Sequence, residues 1–119
     1  MESILIYIKQ LLGIDENETH FDPDIIIHIN SIFSILNQMG VGPEKTFSIS
    51  DSNAIWDDFI EEDTDFNEVK TYMYLKVKMI FDPPSSSSVL DAYKRQIDEL
   101  EWRLTVRASN KSMEENENE

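Results

Sequence analysis

The seven residues DPPSSSS at 82–88 place a break in this 119-residue chain that no helix or strand can cross. Pro83 pushes Asp82 out of the helical region, and neither Pro83 nor Pro84 has an amide hydrogen to donate. Four serines then supply a flexible linker and a choice of caps, with Ser88 and Asp91 spaced as a capping box. One amphipathic pattern must end before residue 83 and another must begin after the serines. The chain divides accordingly into a helical core over 1–82, a linker over 83–88, a C-terminal helix over 89–108 and a tail over 109–119, with Asp82, Pro83, Pro84 and Ser85 as a hinge.

Upstream of the break the apolar residues keep helical spacing. Ile4, Leu5, Ile8, Leu11 and Leu12 lie on one face over residues 2–12, and Gly13 follows as a stop. Asp22 as N-cap and Pro23 at the first helical position open a second helix, with Ile25, Ile29, Ile32, Phe33, Leu36 and Met39 along one side before Gly40. Ile26, Ile27 and Ile35 widen that stripe, so this is the central helix, buried on more than one side. Phe47 and Ile49 alternate in a brief extended piece, which is either a loop or a strand in need of a partner. Asp51 or Ser52 caps a segment with Ile55, Trp56, Phe59 and Ile60 on one face. A fourth helix puts Phe66, Val69, Met73, Val77 and Ile80 in a stripe, with Tyr72, Leu75 and Met79 beside it. The fold class is all-α, a small bundle of about four to five helices.

Downstream, Leu90, Tyr93, Ile97, Leu100 and Leu104 repeat at alternating steps of three and four, a narrow seam suited to docking outside its own domain. The segment 89–107 balances Asp91, Asp98, Glu99 and Glu101 against Lys94, Arg95, Arg103 and Arg107, and holds every arginine of the protein. Trp102 falls off the seam: it either anchors an interface with Arg103 or folds back against helix two. SNKSMEENENE, past Ala108, has the low hydrophobicity and high charge of a disordered acidic tail.

Composition narrows the function. Hydrophobic residues make up 40% of the chain, enough for a single core. Without cysteine there is no disulfide framework and no thiolate zinc site. The longest apolar runs fall far short of a membrane span, and Glu2 stands where a secretory leader would be basic, so a soluble, non-secreted protein is expected. A net charge of −14 argues against autonomous nucleic-acid binding. Much of it sits in two blocks, Asp15 to Asp24 and Asp57 to Glu68, neither containing a lysine or arginine. A cap and a loop account for His20, Asp22 and Asp24 without a metal, and His28 belongs to helix packing. The calcium-loop pattern fails because His20 occupies the required glycine position after Asp15 and Asn17. The pairs Asp57 and Asp58, and Glu61 and Glu62, read as solvated charge rather than an acid and base, and no phosphate cradle or nucleophile motif occurs. No catalysis and no cofactor are expected.

The order of these elements, with LGI closing the first helix, FDPD opening the second, YMYLKVKMIFDPP at 72–84 and ELEWRL at 99–104, resembles the phage head-tail connector family, also called head completion or adaptor proteins, over about residues 1–107. The resemblance implies a non-enzymatic virion protein of the neck, made in the bacterial cytoplasm, that assembles as a ring, commonly dodecameric, under the portal. It implies partners in the portal, in stopper or tail-completion proteins and in other copies, with genomic DNA passing through unbound and no membrane contact. The C-terminal helix would then engage the portal or a neighbouring subunit through Leu90, Tyr93, Ile97, Leu100, Trp102, Arg103, Leu104 and Arg107, swinging on the proline hinge. Asp57, Asp58, Glu61 and Glu62 are candidates to line a channel that repels DNA phosphate, although solubility alone explains them equally. Two other classes suit a small acidic chain: a DNA-mimic inhibitor, and an assembly chaperone not retained in the virion.

Overall fold

Gly13 and Gly40 end the first two helices where the spacing predicts, with φ of +79° and +86°, a left-handed turn that glycine makes without a Cβ penalty. The computed structural model describes residues 2–60 and 66–117. Five helices follow in order: α1 (Ile4–Leu11), α2 (Asp22–Gln38), α3 (Trp56–Phe59), α4 (Phe66–Phe81) and α5 (Ser87–Glu117). Among the described residues there is no strand, and the all-α expectation holds.

α4 lies between α2 and α5, and α1 packs on α2 and α4. Their facing sides make one core, from Ile4, Leu5 and Ile8 through Ile29, Phe33 and Leu36 to Tyr72, Met73 and Val77, with Ile97, Leu100 and Leu104 added from α5. The start of α1 is clipped to the segment before α3: Ile4 N donates to Ala54 O at 3.1 Å and Trp56 N to Glu2 O at 3.2 Å. Phe47 to Ile49 is a loop. The Asn30 side chain serves as its missing strand partner, accepting from Ile49 N at 2.8 Å and donating to Ile49 O at 2.9 Å. Phe47 can then lie against Phe33, ring centroids 5.0 Å apart.

Several local expectations are corrected. Asp22 is the first residue of α2, not its cap, and Phe21 is the N-cap; the Asp22 carboxylate turns instead to Lys9 at 2.9 Å. Neither Asp51 nor Ser52 caps α3, which begins at Trp56, because Asp58 accepts from Ile55 N at 3.0 Å and closes a single turn. Ser88 is not the cap of α5: the helix starts at Ser87, and Leu90 N already donates to Ser86 O at 3.0 Å. Ile80 leaves the buried stripe of α4, 51% exposed although Met79 and Phe81 on either side still pack on the core, and Ile27 is 61% exposed, so α2 has a solvent face after all. Helix α5 continues through residues 109–117, where composition predicts disorder. No proline or glycine interrupts Lys111, Met113 and Glu114, and the composition of a tail is also that of a solvated helix.

Candidate interaction surface

α5 is the element that composition singles out, and its two sides do different things. At about 1.5 Å per residue its 31 residues reach roughly 46 Å, close to the 49 Å long axis of the molecule. It runs antiparallel to α4. Tyr72 Oη donates to Glu101 Oε1 at 3.0 Å, and Lys76 Nζ lies 3.8 Å from the same oxygen. Glu68 receives Arg107 Nη1 at 2.7 Å and lies 3.6 Å from Arg103 Nη1, while Arg103 Nη2 also reaches Glu99 at 2.7 Å within α5. These pairs fix the register but are too exposed to contribute more than about 1 kcal/mol each. Burial, and next the hydrogen bond to Glu101, push the Tyr72 phenol well above its ordinary range. Tyr74 is pushed up to about 12, first by burial and then by its hydrogen bond with Tyr93 and the Asp82 charge.

The seam expected to meet another subunit therefore lies first against its own chain. Ile97, Leu100 and Leu104 are buried against the body, and Leu90 and Tyr93 are half-buried. Their burial follows from the turn at Asp82 to Ser86, which folds α5 directly back on α4. Trp102 does not fold back against α2: it is 67% exposed, on the side opposite Leu104. Four residues on, Val106 is exposed, and a further seven on, so is Met113. One and three turns apart, these residues make an apolar line along the outer face of α5. Arg95, two turns before Trp102, extends the line with an exposed guanidinium that has no acid partner among the described residues. Residue spacing did contain this second stripe, but the stronger leucine seam masks it and the charged tail hides Met113.

Of the acidic candidates, Asp57 and Asp58 are exposed on α3, with Asp58 occupied in capping it; Glu61 and Glu62 lie outside the described residues. The described residues contain no group of three or more His, Asp or Glu that could hold a metal, and no helix long and apolar enough to cross a membrane. Sequence reasoning missed Lys9. It is 1% exposed, and its ammonium is held by Glu16 O at 3.0 Å, Glu18 O at 2.7 Å and the Asp22 carboxylate, which pins the first acidic block to α1.

The family model for phage connector proteins matches residues 4–111, from the first turn of α1 into the last turns of α5. The chain belongs to the phage connector protein family. Neither a curated protein nor a solved structure matches it. Membership gives this connector a structural role in a phage particle, and the match takes in α5 as far as Lys111, so both the leucine seam and the stripe from Arg95 to Val106 are part of the family unit.

Proposed function

We propose that this connector is a head-tail adaptor: copies form a ring under the portal, extend the DNA channel and present a platform to stopper or tail-completion proteins. The observation that carries this reading is the family match across nearly the whole chain, joined to a helix that spans the molecule and keeps an apolar outer face. α5 carries the assembly contacts. Trp102 is available without rearrangement, whereas Ile97, Leu100 and Leu104 reach a partner only when α5 turns about Asp82 to Ser85. Leu90, Tyr93, Arg103 and Arg107 would be released by the same motion. The exposed carboxylates Asp57 and Asp58 suit a channel wall that repels DNA phosphate and lets the genome pass.

Light scattering of the purified chain with and without a portal ring tests the reading. A stoichiometric, salt-tolerant complex is expected, and the chain should appear by mass spectrometry in purified particles. Particles that lack it yet still join their tails would overturn the adaptor role. Hydrogen exchange over residues 87–108 tests the hinge: equal protection in free and portal-bound protein would rule out the swing.

A further inference from the structure

α2 and α5 both pack on α4, and each leaves a separate exposed face. Both run in the same direction. Phe21 at the start of α2 meets Phe81 at the end of α4, ring centroids 5.5 Å apart. Gly40, just beyond α2, lies beside Ala108 of α5, within about 3.4 Å of where a Cβ would stand. A molecule built this way carries two unlike helical faces on parallel helices.

The two faces complement each other. On α5, Arg95, Trp102 and Val106 are exposed, with Arg95 lacking an acid partner among the described residues. On α2, Asp24, Ile27, Ser31 and Ser34 are exposed at steps of three and four, and Asp24 lacks a basic partner among the described residues. Set in parallel with Arg95 opposite Asp24, seven residues along each helix bring Trp102 opposite Ser31, one turn beyond Ile27. The serine leaves room for the indole, and Ile27 supplies apolar surface to cover it. Val106 then falls opposite Ile35, one residue from the exposed Ser34.

We propose that the outer face of α5 docks on the outer face of α2 of a second copy of this chain, Arg95 pairing with Asp24 and Trp102 seated over Ile27 and Ser31. Because the two faces differ, the contact is heterologous: each copy offers one face and receives on the other, which builds a ring if the rotation closes. This deepens the reading of the chain as a ring-forming connector and rests on it for its setting.

The absence of cysteine allows a clean test. Val106→Cys protein mixed with Ser34→Cys protein under mild oxidation should give a mixed cross-linked dimer in excess of either matched pair. The doubly substituted chain should give a ladder of oligomers. In sedimentation equilibrium, Trp102→Ala should weaken self-association at least about tenfold, as loss of an interface anchor does. Arg95→Glu and Asp24→Arg should each weaken it, and the double variant should recover it. No excess of the mixed dimer, a wild-type chain that stays monomeric throughout, or a double swap that fails to recover would overturn the interface. Particles containing the chain without such cross-linking would leave the connector role standing and remove this contact; efficient cross-linking of a chain absent from particles would do the reverse.

Discussion

Lys9 holds its charge at 1% exposure against two loop carbonyls and the Asp22 carboxylate, three acceptors for the three hydrogens of an ammonium. Replacing it with methionine keeps the apolar stem and strands all three oxygens. Lys9→Met should therefore cost about 3 kcal/mol in urea unfolding, the scale of removing one partner from a buried charged pair, and amide exchange over residues 14–21 should rise with it. Gly42 is a second such point. Its φ is +89°, and a Cβ there would overlap the Phe59 ring. Gly42→Ala should destabilise by roughly 2–4 kcal/mol, adding a left-handed backbone penalty to a clash in the core. Neither residue announces itself in the sequence. Lysine is usually exposed, and the partners that hold Lys9 are mostly main-chain atoms of a loop, which residue types do not encode.

At the scale of the element, α5 is a helix with one side committed to its own body and the other to solvent. Leu104 is 1% exposed, and Leu104→Ala should cost about 2–5 kcal/mol in chemical denaturation through the cavity it leaves. Trp102→Ala should change stability by no more than about 0.5 kcal/mol, since nothing in the body packs on it. A comparable loss at both positions would contradict the two-sided assignment. The seam, its limits and the break before it were all legible from spacing and from two prolines. Which side would be hidden was not: a narrow heptad row serves an intramolecular neighbour as well as a partner, and the close turn at Asp82 to Ser86 decides for α4.

Over the whole molecule, 24 acidic residues face 10 basic ones, so repulsion among like charges outweighs the few surface pairs. Raising salt from about 20 mM to about 500 mM should raise the melting temperature, because screening relieves more repulsion than it weakens attraction. Alkali should act oppositely. Tyr72 and Tyr74 have phenols raised above their ordinary value in the folded state, so their stabilising contribution is complete below about pH 10, where an unfolded tyrosine ionises, and declines as pH rises beyond it. Melting temperatures measured upward from about pH 9 should show this fall, and Tyr72→Phe should flatten it. By itself the sequence determined the helical class and the helix stops at Gly13, Gly40 and the two prolines, because periodicity, glycine and proline act on the backbone locally. The buried lysine, the commitment of the leucine seam to α4 and the exposure of Trp102 were decided by tertiary structure, since each depends on which surfaces the packed helices bring together and which they leave to water.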